Sequence, residues 1–283
     1  MGDEAMELMD ARPRLSVLIA TCRPDGIERV VAMDLPEVAG VHYWVSWQMH
    51  ENLPVPESLA SRKDVSVLCT DTIGLSNNRN NLLENAEGDI FLIADDDLRY
   101  TSDQVRSVID VFDENPEIDY ASFTFTGADA KVYPSHVCHL WPVPKNFSQT
   151  SFEVAIRNNS RTARLRYNPF FGLGAPVLRS GEDELFLISA IRLGLNCRFF
   201  PIIITHHEGL TTGNRKITDN GVLKASGAVI AVQYPFTAFM RIPLKAYRLH
   251  KSGQSSFLRS LRYMTYGVWY LLRHREVREK IYF

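Results

Sequence analysis

Up to Phe125, short runs of β-branched and aromatic residues alternate with stretches of helical spacing, and this alternation constrains the fold more than any other feature of the chain. Leu15 to Ala20, Val41 to Trp47, Val65 to Cys69, Ile90 to Ala94 and Tyr120 to Phe125 read as strands. Gly26 to Met33, Ser76 to Asn85 and Ser102 to Asn115 read as helices, the last with Thr101 and Ser102 available as caps and Pro116 just beyond its end. Strands that alternate with helices build a largely parallel sheet covered on both faces, so the predicted class is α/β and Rossmann-like. Ligands of such sheets gather at the carboxyl ends of the strands, which directs attention to the residues just after each apolar run.

Beyond these elements, Ala128 to Pro169 is rich in Pro, Asn and Ser with weak periodicity, and loops with a few edge strands are expected there. A helix, Glu182 to Gly194, and a strand, Arg198 to Thr205, follow. The expected organisation is one large domain over residues 1–235 and a helical extension over 236–283. Hydrophobic content of 45% and charged content of 23% exclude disordered and fibrous classes. Cys22, Cys69, Cys138 and Cys197 are scattered without a CxxC pair, which fits reduced thiols rather than a disulfide frame or a zinc cage. The acidic start, MGDEAMELMD, lacks the basic region and apolar core of a secretory signal, and the expectation is a cytoplasmic protein. The longest charge-free apolar stretch, Gly227 to Met240, falls short of the roughly 20 residues that span a bilayer and contains Pro235, so no transmembrane helix is expected.

The segment GDIFLIADDDL runs an apolar strand straight into Asp95, Asp96 and Asp97. Adjacent carboxylates repel, and a cation among them relieves the repulsion. Mg²⁺ takes one or two protein carboxylates and fills its other positions with water and substrate phosphates, which Asp95 and Asp97 would suit. A solvated acidic turn before the next helix is the alternative.

These residues resemble a known family. GLSNNRNNLLENAEGDIFLIADDDLRY is similar to the core of family 2 glycosyltransferases of the GT-A fold, in which a helix with an Arg-Asn pair leads into a strand and an Asp-x-Asp motif. LSVLIATCRPDGIERV looks like the first strand and turn of that family, and GEDELFLISAIRLG like its Glu-Asp helix, so the likeness spans about residues 14 to 205. It implies a GT-A catalytic domain and an inverting transfer of a sugar from a nucleoside-diphosphate donor, with UDP expected, to a hydroxyl of a glycan or lipid-linked acceptor in polysaccharide biosynthesis. Mn²⁺ or Mg²⁺ is implied as cofactor, with Asp97 and Asp95 at the metal. The donor site would draw on Thr21, Arg23, Gln48, Asn77, Arg79, Asp95 and Asp96, with Arg79 supplying positive charge to the departing diphosphate. Glu182 and Asp183 correspond to the catalytic pair, with Asp183 as the base; the same acids would also suit the first turn of a helix. Some GT-A enzymes add a histidine ligand after the last strand of this region, which here means His207 or His206.

The sequence departs from the family at ATCRPDG, with Cys22 and Arg23 where Tyr and Asn are frequent, and at VSWQMHEN, which lacks the acidic pair that reads the nucleobase and offers Gln48 instead. The loop GLTTGNRK, with Arg215 and Lys216, is a candidate to fold over bound phosphate. From Arg241 onward ten Lys or Arg face only Glu276 and Glu279. Phe257, Leu261, Met264, Val268 and Leu272 recur at helical spacing, so this tail either lies on an anionic membrane surface at the inner face of the cell membrane or packs on the protein with a solvated basic side. Competing functions are a sugar-phosphate nucleotidyltransferase, which would need a Gly-rich basic signature that TCRPDG barely offers, and a non-catalytic sugar-nucleotide or glycan-binding module. Nucleic acid is not an expected partner, because the basic tail is short and the remainder is acidic.

Overall fold

The computed structural model describes residues 12–127, 131–145, 147–208, 217 and 219–281. The chain divides into two compact units, residues 1–71, 81–163 and 195–208 in the first and 72–80, 164–194 and 209–283 in the second. The boundary expected after residue 235 therefore falls inside the second unit.

In chain order the elements are β1 (Leu15–Cys22), α1 (Arg23–Ala32), β2 (Val41–Gln48), α2 (Glu57–Ala60), β3 (Val65–Thr70), α3 (Leu75–Asn85), β4 (Ile90–Asp95), β5 (Leu98–Arg99), α4 (Ser102–Glu114), β6 (Tyr120–Gly127), β7 (Cys138–His139), β8 (Val154–Arg157), α5 (Glu182–Arg192), β9 (Cys197–His207), α6 (Asn220–Gln233), α7 (Ala238–Lys251), α8 (Phe257–Arg273) and α9 (Arg275–Glu279). The first unit is built on a sheet of order β3-β2-β1-β4-β8-β6-β9-β5, with β7 also on β9. Strands β3, β2, β1 and β4 are mutually parallel, as their apolar runs lead one to expect. β1 sits between β2 and β4, so the strand order reverses there, the kind of position beside which ligands of such sheets bind, and Thr21, Gln48 and Asp95 lie at the carboxyl ends.

The other half of the sheet keeps β6 parallel to β9 and adds short antiparallel partners, so the sheet is mostly parallel with antiparallel insertions. β8 runs antiparallel to both β4 and β6. It comes from the stretch read as loops with edge strands, yet it lies in the middle of the sheet. Its four residues, VAIR, are too few for periodicity to reveal, and burial of Val154, Ala155 and Ile156 holds them in place. A second departure concerns β9, which runs on through His206 and His207, so these two histidines end a strand rather than open a loop.

Helices α1 and α4 lay their apolar stripes on the sheet: Ile27, Val30 and Met33 from one, Val105, Val108, Val111 and Phe112 from the other, join Val17, Val45, Leu92 and Phe123 in one core. α4 starts with a reciprocal cap in which Thr101 and Gln104 each accept from the other's backbone N–H.

The second unit is helical. Leu185, Ile188, Ala228, Leu271 and Val277 pack around Phe171, while Leu223, Ile242 and Met264 form a neighbouring cluster. α6 and α8 meet backbone against backbone at two glycines. A Cβ built on Gly227 would lie 2.0 Å from the Met264 carbonyl oxygen, and one on Gly267 would lie 1.8 Å from that of Lys224. Gly267→Ala is therefore expected to force the helices apart and to destabilise the chain by about 3 kcal/mol, the upper part of the overpacking range. Urea unfolding measures this, and an unchanged midpoint would mean that the crossing is looser than described. Along α8 most of the apolar stripe is occupied by this contact: Met264 is buried, and Leu261 and Val268 pack against the same cluster.

Candidate active site

At the end of β4 the three aspartates take different directions. Asp96 turns inward, its side chain 14% exposed. Thr21 Oγ1 donates to its Oδ2 at 2.5 Å, and Arg29 forks onto both oxygens, Nε to Oδ1 at 3.1 Å and Nη2 to Oδ2 at 2.9 Å. Burial pushes the Asp96 carboxyl up, opposed by Arg29 and Thr21, which favour its charged form. The clasp needs a glycine beside it, since a Cβ at Gly26 would lie 2.3 Å from Thr21 Oγ1. Two residues expected at the donor, Thr21 and Asp96, are thus joined to each other and fix α1 to the sheet. Arg29 was not singled out from the sequence: its helical neighbour Asp25 was visible at i−4, but a partner 67 residues away was not.

Asp97 turns outward, its side chain 46% exposed, and its Oδ2 lies 3.3 Å from His207 Nε2. The two-residue strand β5 explains the meeting, because Leu98 pairs with His207 across the antiparallel ladder. The imidazole is buried, stacked on Phe152 with centroids 5.3 Å apart and edge-on to Phe125 at 6.3 Å. Its Nδ1 has no hydrogen-bond partner among the described residues, which leaves Nε2, aimed at Asp97, as the nitrogen with a partner. His206, one residue earlier on the strand, points to the other face, where its Nδ1 lies 3.0 Å from Thr126 Oγ1. Of the two candidate histidines, the structure brings His207 to the aspartates' turn.

The two atoms are within hydrogen-bond distance of each other, and a carboxylate oxygen with an imidazole nitrogen is also a donor set that Mn²⁺ accepts. Two ligands about 2.1 Å from one ion at a right angle are about 3 Å apart, close to the observed 3.3 Å. Among the described residues no group of three His, Cys, Asp or Glu surrounds a common point. Asp95 ends β4 opposite Ala20 of β1, half-buried.

Gln48 is buried at the end of β2, opposite Cys22 and Thr70. Arg23 has an exposed side chain and a left-handed backbone (φ 66°), and its carbonyl accepts from Trp47 Nε1 at 2.9 Å. Met49, Glu51 and Asn52, just after Gln48, also have positive φ, a concentration of costly backbone at the strand end where a nucleotide is expected.

Within the second unit, the first turn of α5 carries Glu182 and Asp183 after the left-handed Gly181 (φ 86°). Arg79, from the start of α3, is 2% exposed and reaches this turn: Nη1 is 3.2 Å from Asp183 Oδ1 and 4.0 Å from Glu182 Oε1. Its guanidinium lies 5.2 Å over the Tyr167 ring, which in turn stacks on Phe186 at 4.0 Å and 6°. Asn80 holds Tyr167 by both backbone groups, accepting from its N–H and donating to its carbonyl, each at 2.8 Å. Ser76 Oγ donates to the Phe171 carbonyl at 2.7 Å. Glu182 packs beside Gly172, where a Cβ would come within 3.0 Å of its carboxyl carbon. Asp183 is the more open of the pair, 19% exposed against 11% for Glu182. Arg79 thus meets the Glu-Asp pair, a contact that the sequence did not suggest. Asn77 donates to the Ile73 carbonyl at 2.7 Å. Arg215 and Lys216 lie outside the described residues.

The fold and the motifs set on it resemble those of family 2 glycosyltransferases with the GT-A fold. The sequence model described as Glycosyl transferase family 2 matches residues 56–171, the stretch that holds the three aspartates. No curated protein sequence matches the chain. Among solved structures, residues 1–349 of S. aureus TarS superpose with a TM-score of 0.55 at 16% identity, over 77% of this chain and 65% of that one. Its complex with UDP-GlcNAc gives 0.54 at 16% identity, over 77% and 66%. The longer S. aureus TarS gives 0.56 at 15% identity, over 86% of this chain and 44% of that one. The chain thus spans just under two thirds of the shorter TarS structures.

Proposed function

We propose that this chain transfers a sugar from a UDP-sugar to a hydroxyl of a glycan or lipid-linked acceptor, with inversion at the anomeric carbon and dependence on Mn²⁺ or Mg²⁺, on the cytoplasmic side of polysaccharide biosynthesis. The observation that carries the reading is the Asp97–His207 pair, a carboxylate and an imidazole nitrogen 3.3 Å apart beyond the carboxyl ends of the parallel strands. The choice of UDP is supported by S. aureus TarS, which has the same fold and has been solved with UDP and with UDP-GlcNAc.

Asp97 and His207 would hold the ion, with Asp95 beside them. When bound, a divalent ion stabilises the negative charge that grows on the departing diphosphate. Asp183 takes the proton from the acceptor hydroxyl as that oxygen attacks the anomeric carbon from the side opposite the diphosphate. Arg79 holds Asp183 in its charged, proton-accepting state. Gln48, buried at the end of β2, carries an amide of the kind that pairs with a uracil edge.

A melting-temperature panel of UDP, ADP, GDP and CDP, each with and without Mn²⁺, tests the reading, because a ligand that binds only the folded state stabilises it by about 2.7 kcal/mol at a hundredfold excess over Kd. UDP with Mn²⁺ is expected to raise the melting temperature most, and Asp97→Ala to abolish that rise while lowering the unliganded stability by about 1–3 kcal/mol, the cost of leaving the buried His207 imidazole without its partner. If no nucleotide moves the transition, the donor assignment is wrong; if UDP binds equally well without metal and in Asp97→Ala, the ion assignment is.

A further inference from the structure

We propose that an exposed apolar ridge from Phe236 to Tyr247 is a docking surface for an anionic lipid bilayer. Helix α7 has two apolar faces. One, with Ala238, Ile242 and Ala246, is buried in the second unit. The other carries Phe239, Met240, Leu244 and Tyr247, which are 74%, 63%, 50% and 55% exposed, with Phe236 just ahead of the helix at 90%. Positions 236, 239, 240, 244 and 247 follow helical spacing, so these side chains form one continuous stripe rather than scattered apolar residues. Isolated exposed apolar residues are ordinary; a contiguous stripe of large ones marks a surface that something covers.

The charge around the stripe says what covers it. Arg241, Arg248 and Lys251 are exposed on the same helix, and no Asp or Glu occurs between residues 220 and 275. A second copy of this chain would set one basic face against another in a two-fold contact and repel. A folded protein partner is recognised by matched hydrogen bonds, about one per 100–200 Å². Between Phe236 and Arg248 the only uncharged polar groups are the hydroxyls of Thr237 and Tyr247. A large apolar stripe flanked by cations and nearly free of directional groups matches the acyl boundary and anionic headgroups of a bilayer. Helix α8 of the same unit also exposes Tyr266 and Trp269, with Arg273 5.5 Å over the Trp269 ring, side chains of the kind found in the headgroup layer, though the proposal rests on α7 alone. The apolar stripe read from the sequence of the tail lies on α8 and is largely consumed by packing on α6; the surface proposed here lies on α7.

The test is flotation of the full chain with vesicles of phosphatidylcholine alone and of phosphatidylcholine mixed equally with phosphatidylglycerol. Binding to the anionic vesicles is expected to exceed binding to the neutral ones by at least about tenfold and to weaken as salt screens the surface potential. The double variant Phe239→Ser with Leu244→Ser changes exposed side chains only, so it should melt like the parent and retain its response to UDP and Mn²⁺, yet lose at least about tenfold in vesicle binding. The UDP response reads the transfer function separately, so loss of one leaves the other standing. The proposal is overturned if the parent chain ignores anionic vesicles, which would point to an acidic protein groove, if the double variant binds them equally well, or if the parent is a dimer that the substitutions dissociate.

Discussion

Asp183→Asn is expected to fold like the parent, to keep the metal-dependent response to UDP, and to lose transfer by about 10²- to 10⁴-fold, the contribution of a positioned general base. The substitution is nearly isosteric. Its amide oxygen still accepts from Arg79 Nη1, now at 3.2 Å from the carboxylate, so the cation keeps one hydrogen bond and the first turn of α5 keeps its shape. What disappears is the ability to accept a proton. Glu182 is the natural comparison, because it sits in the same turn but lies deeper, packed beside Gly172 and 4.0 Å from the same guanidinium. Glu182→Gln should therefore act more on melting temperature than on turnover. Rates of sugar transfer for the two variants, beside their unfolding curves, decide the matter. Turnover near the parent's in Asp183→Asn would remove that residue from the base assignment, and a collapse confined to Glu182→Gln would transfer the role to its neighbour.

Much of the first unit was legible because burial writes a pattern into the chain. The runs at β1, β2, β4 and β6 are apolar because those strands are covered, and the observed limits of these strands and of the half-buried edge strand β3 differ from the sequence reading by only one or two residues. The start of α4 was legible from Thr101 because a capping box is local in sequence. What escaped was whatever depends on distant partners. β5 and β7 have two residues each, and β8 has four, so none is long enough to show a period. They exist because neighbouring strands supply their hydrogen bonds, and they turn a nominally parallel sheet into a mixed one. The aspartate cluster illustrates the same limit at the site. Three identical side chains in a row look equivalent, but the turn after β4 sends Asp96 to Arg29 and Thr21 and Asp97 to His207, 110 residues away. Nothing within the motif distinguishes the aspartate that holds a helix from the one that faces solvent.

Arg79 is where sequence and structure lead to different chemistry, and its replacement is the sharper test. As a donor-phosphate ligand it would need access to solvent and ligand, whereas at 2% exposure, over the Tyr167 ring and 3.2 Å from Asp183, we expect it to act as a positioning residue. Arg79→Leu leaves Glu182 and Asp183 partly buried without their cation, and removal of one partner from such a group costs about 3–5 kcal/mol. The melting temperature should fall accordingly. The effect on catalysis has a signed signature. A base works only when deprotonated, and removal of a neighbouring positive charge favours the protonated carboxylic acid, so the acidic limb of kcat/KM should move to higher pH. Arg79→Lys should restore the charge but only part of the stability, since an ammonium does not stack as a plane on Tyr167. A diphosphate ligand predicts the opposite pattern: weaker UDP binding, an unshifted pH profile and little change in melting temperature. Measured together, the unfolding curve, the UDP response and the pH profile of Arg79→Lys separate the two roles even if Arg79→Leu does not accumulate as folded protein.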